Sequence, residues 1–106
     1  MRIVDQRIHL EDVPAAVIAE TYGTPTYVYE ENRIRENFRR TLAAFRRYYP
    51  DFHLFYAIKC LNNLAVANIL RQEGAGIDAA SVNEILLATA LGLGGEEVMF
   101  SGNFLS

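Results

Sequence analysis

The chain has 106 residues, of which 51% are hydrophobic and 22% charged, and its net charge is −3. That balance belongs to a folded globular chain and excludes a disordered one, while the mild acidity argues against bulk attraction to nucleic acid or anionic lipid. A single cysteine, Cys60, excludes an intramolecular disulfide and points to a reducing compartment.

At the N-terminus, MRIVDQRIHLEDVP is broken by charge every few residues and lacks the apolar centre of a secretory leader. No run approaches the roughly 20 apolar residues of a membrane span, so the expected setting is the cytosol. EDVPAAVIAETYGTP reads as a short helix, with Asp12 as a candidate cap, Pro14 near its first turn, Gly23 closing it and Pro25 preventing continuation. TYVYE, rich in β-branched and aromatic residues, predicts a brief strand. A long helix follows, with Ile34, Phe38, Leu42 and Phe45 at three- and four-residue spacing, and Pro50 and Asp51 mark its exit.

FHLFYAI is a nearly continuous apolar run of strand length, the pattern of a strand covered on both faces. LAVANILRQEG is helical and ends at Gly74; GIDAA is another short strand. SVNEILLATALGL opens with Ser81 and Glu84 in capping-box spacing and ends near Gly92, and EEVMF is the last strand. Such β-α alternation with short glycine-containing turns implies right-handed crossovers and a parallel sheet. The order alone fits either a doubly wound sheet or part of a barrel. A barrel needs about 250 residues, and the chain stops after a strand at GNFLS, so it reads as the N-terminal portion of a longer protein.

Lys59 is the only lysine; the other nine basic residues are arginines. It ends the FHLFYAI strand, and in parallel α/β folds ligands bind at that end. Beside Phe55, Tyr56, Ala57 and Ile58, desolvation would favour the neutral amine, a nucleophile able to condense with an aldehyde or ketone. The plainer reading is a lysine whose stem packs on the strand while its ammonium reaches water, in a chain that simply uses arginine elsewhere.

Other residues carry strong structural readings. Ser81 and Glu84 explain themselves as a helix cap, although Glu84 also suits a site role. Asp78, in an otherwise apolar strand, would be costly to bury alone, and pairing with Lys59 across adjacent strand ends is the expected remedy. Cys60 is expected in the core, and His53 at the end opposite the chemistry. The arginines at 33, 35, 39, 40, 46 and 47 form a basic helix, diluted by Glu30, Glu31 and Glu36, which reads as a solvated outer face. GLGG at 92–95 has the spacing of neither a dinucleotide fingerprint nor a P-loop. No metal site is expected.

Taken in order, YGTPTYVYEENRIRENFRR, FYAIKCLNNLAV, GAGIDAASVNEILLATALGL and VMFSGN closely resemble the start of the diaminopimelate decarboxylase family. These belong to the alanine-racemase-like, ornithine-decarboxylase-like group of pyridoxal phosphate enzymes. The resemblance covers nearly all of the chain from Gly23 onward. It implies the N-terminal portion of a parallel (β/α) TIM-type barrel, residues 1–106 being part of the cofactor-binding domain, with the rest of the barrel and a C-terminal β domain absent. By resemblance, Lys59 would carry pyridoxal 5′-phosphate covalently, Asp78 would be the acidic residue near it, and Ser81 and Glu84 would open the following helix. The phosphate-binding turn, the group facing the pyridine nitrogen and a partner subunit's contribution would lie elsewhere in a homodimeric enzyme. Two departures concern the substrate more than the cofactor: Lys59-Cys60-Leu61-Asn62-Asn63 keeps only the second Asn of K-A-N-x-N, and Leu105 replaces the Lys of SGNxKS.

The implied activity is decarboxylation of an amino acid, meso-diaminopimelate to lysine, with the 106-residue piece itself inactive. The alternatives are an amino-acid racemase or a non-catalytic pyridoxal phosphate carrier of the same fold, and a small α/β binding module with an incidental lysine.

Overall fold

The computed structural model describes residues 1–103, and the chain divides into two units, Met1–Arg33 and the residues from Ile34 onward.

The first unit is an antiparallel meander followed by a helix. Strands β1 (Arg2–Val4), β2 (Arg7–Leu10) and β3 (Val13–Pro14) lead into α1 (Ala15–Tyr22). Val4 pairs with Arg7, leaving Asp5 and Gln6 as a two-residue link. Both have positive φ, 48° and 61°, the left-handed pair whose twist matches a tight hairpin. Glu30 gathers the unit: its Oε2 accepts from the Met1 ammonium at 2.6 Å and from the Glu11 N–H at 3.0 Å. The hydrogen bond from that ammonium, then the one from Glu11, holds the Glu30 carboxyl below the usual carboxylate range.

Two expectations for this stretch are corrected. Asp12 does not cap α1; Pro14 occupies the cap position without a side-chain bond, and Asp12 instead pairs with Arg2 at 2.6 Å. Residues 26–30 join no ladder among the described residues, and Tyr27 is 92% exposed. A strand is defined by its neighbour, so β-favouring composition without a partner leaves only a connecting segment.

The second unit is a parallel α/β array. Helix α2 (Glu31–Arg46), whose first turn holds the division between units, precedes β4 (Phe55–Ala57) and a single 3₁₀ turn at Ile58–Cys60. Then follow α3 (Leu64–Gln72), β5 (Gly76–Ala79), α4 (Val82–Ala90) and β6 (Val98–Phe100). The strands lie in the order β4-β5-β6, all parallel, with Ala57 opposite Asp78 and Asp78 opposite Met99. The β-α order read from residue 52 onward is therefore the observed one, as a sheet of three strands.

Two buried clusters hold this unit. Ile58, Ala67, Ile77, Ala79, Ala88 and Leu93 form one. Three of the six are alanines, so α3 and α4 can lie close to the strands. Phe38, Leu70 and Ala75 form the other, with Ile34 and Leu42 of the α2 stripe against it. Phe45 leaves that stripe: it is 53% exposed and stacks on Phe52 with ring centroids 4.5 Å apart.

The basic helix is not merely solvated. Arg35 Nη1 reaches Glu73 Oε1 at 2.8 Å, and Arg39 holds both Glu73 oxygens at 2.5 and 2.6 Å. Arg39 first, then Arg35, keeps the Glu73 carboxyl below its ordinary range. A carboxyl depressed on folding stabilises the native state above its unfolded value, ~4.3, and that stability is lost as pH falls through the lower folded value. The urea midpoint of the full-length protein should thus fall as pH drops below about 4.3, and Glu73→Gln should flatten that part of the curve. An unchanged acid limb in Glu73→Gln would remove the clamp's role.

A candidate active site at the carboxyl ends of the parallel strands

Strand alternation sorts the residues that reach this end. In β4, Tyr56 packs against both buried clusters, while Phe55 and Ala57 face away from the helices. In β5, Ile77 and Ala79 are fully buried, which turns Gly76 and Asp78 to that same helix-free face. The two strands meet there closely: a Cβ on Gly76 would come within 2.5 Å of the Phe55 ring and 2.9 Å of the Glu97 carbonyl oxygen. Only glycine fits.

Lys59 lies two residues beyond Ala57, in the middle of the 3₁₀ turn, and is exposed. The turn is closed by Leu61 N–H donating to the Ile58 carbonyl at 3.2 Å. Ile58, just before the lysine, is fully buried. The apolar neighbours that sequence places around Lys59 therefore serve the core and do not cover its amine.

The expected Lys59–Asp78 pair does not form. Asp78 stands opposite Ala57, so the turn has already carried Lys59 off the strand line. Asp78 Oδ1 instead accepts from Ser101 Oγ at 2.6 Å. Ser101 N–H also donates to the Ala79 carbonyl at 2.9 Å, extending the β5–β6 ladder one step past Phe100. Lys59 thus has no ion-pair partner among the described residues.

Glu84 is half-buried at the same end. Its N–H donates to Ser81 Oγ at 3.3 Å and its Oε2 accepts from Ala80 N–H at 2.6 Å. This is the expected cap reaching one residue further back, with the carboxylate favourably placed at a helix N-terminus. The bond ties the exit of β5 to the start of α4.

Three further side chains shape the site, and sequence reasoning assigned them no such role. Tyr56 Oη donates to the Leu61 carbonyl at 3.0 Å, spanning the lysine turn. Asn63 caps α3, accepting from Ala65 N–H at 2.9 Å and Val66 N–H at 3.2 Å; an Asn just before a helical run is a legible capping signal. Ser101, the partner of Asp78, carried only the faint signal of a polar residue straight after a strand. Cys60 is exposed rather than in the core, because the chain has left the sheet by then. His53 precedes β4, exposed and 3.3 Å from Asp51 Oδ1, away from this end.

An exposed primary amine at the carboxyl end of a parallel strand, with no carboxylate paired to it among the described residues, can take a carbonyl ligand. Residues 34–106 match the family model for the pyridoxal-dependent decarboxylases, pyridoxal binding domain. The chain belongs to that family. The pyridoxal-dependent decarboxylase match starts at Ile34, where the second structural unit starts.

Among relatives, the chain is 48% identical over 89 residues to a diaminopimelate decarboxylase of Methanothermobacter thermautotrophicus, covering 84% of this chain and 21% of that protein. It is 40% identical over 100 residues to the diaminopimelate decarboxylase of Vibrio cholerae, covering 92% and 23%. Its structure resembles the crystal structure of diaminopimelate decarboxylase from M. jannaschii in co-complex with L-lysine, with TM-score 0.89 and 33% identity, over 97% of this chain and 25% of that one. The chain thus spans about a fifth to a quarter of the length of these relatives. Its fold is the N-terminal portion of their alanine-racemase-like (β/α) barrel, as the sequence resemblance implied. Leu105, the second departure from the family's pattern, lies outside the described residues.

Proposed function

We propose that this chain is the N-terminal part, residues 1–106, of the cofactor-binding barrel domain of a pyridoxal phosphate-dependent decarboxylase. Its substrate is an amino acid, meso-diaminopimelate, and its product lysine, as the names of its relatives suggest. The reading includes a homodimer acting in the cytosol. One observation carries it: the chain's single lysine lies in an exposed turn at the carboxyl end of β4, with no carboxylate on its amine among the described residues. No helix among the described residues is long and apolar enough to cross a membrane.

The residues present fit an aldehyde-bearing cofactor. An amine tied to an acid would have to break that pair before reacting, and here Ser101 occupies Asp78 instead. The small residues Ala57 and Gly76 line the same helix-free face. Lys59, Asp78 and Glu84 are proposed as the cofactor-binding set, with Lys59 catalytic.

Each has a distinct task. Lys59 Nζ would hold the cofactor at its aldehyde carbon, water being lost, until the substrate amine takes its place. Once displaced, the same Nζ is a nearby group to carry a proton to or from the substrate. Asp78, oriented by Ser101 through Oδ1, would set a negative charge at the end of the neighbouring strand; Glu84, bonded to Ala80 N–H through Oε2, fixes the exit of that strand. A pyridoxal group held there would supply an electron sink for decarboxylation.

Treating the full-length protein loaded with pyridoxal phosphate with borohydride should fix one pyridoxyl group on Lys59. A peptide map that puts the group on any other residue, or finds none, rejects the proposal.

A further inference from the structure

We infer that Tyr56 is a positioning residue for Lys59, its hydroxyl bracing the turn that presents the amine. The inference rests on the function proposed above. Tyr56 is three residues before the lysine, and its ring packs against both buried clusters of the second unit. A ring held on two sides leaves its hydroxyl little freedom, and that hydroxyl donates to the Leu61 carbonyl at 3.0 Å, two residues past the lysine. The bond therefore closes a loop of chain with Lys59 inside it.

Three attachments share the work. Ile58, fully buried, fixes the chain immediately before Lys59. The Tyr56 hydroxyl fixes it after, at Leu61. Asn63, capping α3, fixes the next step. Leu61–Asn63 lies outside helix and strand, so without the tyrosine bond the chain just after Lys59 would keep only the turn's own 3.2 Å bond from Leu61 N–H to the Ile58 carbonyl. A lysine side chain has four rotatable bonds, and freedom in its backbone adds to the disorder that covalent capture must remove. The hydroxyl is thus worth more to capture than to the fold.

Tyr56→Phe tests this, because it keeps the ring in both clusters and removes one donor. The readout is the borohydride-fixed pyridoxyl group on Lys59 of the full-length protein, titrated with pyridoxal phosphate. Tyr56→Phe should raise the half-saturating concentration about five- to tenfold, the scale of one lost hydrogen bond. Val98→Ala is the control: Val98 packs on the core from the opposite end of β6, so it should lower the melting temperature at least as much and leave the half-saturating concentration unchanged. Wild-type labelling at Lys59 with the same midpoint in Tyr56→Phe overturns the inference and leaves the proposed function standing. An equal midpoint shift in Val98→Ala overturns it too, reducing Tyr56 to ordinary packing. No labelling of Lys59 in the wild type removes the proposed function, and the inference with it.

Discussion

Lys59→Arg should abolish covalent capture of pyridoxal phosphate by the full-length protein and lower its turnover about 10²–10⁴-fold, the range for a lost proton-transfer side chain. The substitution keeps the positive charge and most of the length. Arginine also serves nine other positions of this chain, so it is no foreign residue here. What it removes is a nitrogen that can shed its proton: a guanidinium stays charged in proteins and offers no nucleophile. Because the residue is exposed and makes no ion pair among the described residues, folding should change by no more than the ±0.5 kcal/mol usual at such positions. Mass spectrometry of the borohydride-treated variant, with kcat measured alongside, checks both halves. Turnover within tenfold of wild type would show that the amine does no chemistry.

The second large effect concerns the core beneath that turn. Ile77→Ala should destabilise the full-length protein by about 2–5 kcal/mol, the cost of emptying a well-packed aliphatic site. Ile77 is fully buried in β5, the central strand, with Tyr56 and Val98 as its register partners on either side. Alanines at 67, 79 and 88 surround it in the same cluster, and these short side chains cannot swing into a void. The cavity should therefore stay open and the cost lie toward the upper part of the range. A urea titration should show a lower midpoint at unchanged slope. A loss below about 1 kcal/mol would mean that the helices collapse onto the sheet more readily than this packing implies.

How far these features were legible depends on whether they are local. The GIDAA strand and the Ser81–Glu84 cap declare themselves within a few residues and appear in the structure, while the apolar run of residues 52–58 yields a strand only at Phe55–Ala57. Strand alternation carried the reading correctly to Ala57 and failed one step later. Nothing in AIKC announces that the chain turns at Ile58, yet that turn exposes Cys60 and separates Lys59 from Asp78. Pairings distant in sequence were equally hidden: Glu73 lies 38 residues from Arg35, and Ser101 lies 23 from Asp78. The N-terminal meander escaped notice because its link, Asp5-Gln6, lacks the glycine that usually marks a two-residue hairpin.

The exposed pair Lys59 and Cys60 also makes this stretch chemically addressable. An endoprotease that cleaves after lysine has one peptide bond to cut within these 106 residues, Lys59–Cys60. Any group seated on that nitrogen masks the one such cleavage point within these residues. Digestion followed by simple mass measurement then reports occupancy directly, with resistance to cutting as the signal and no added reporter.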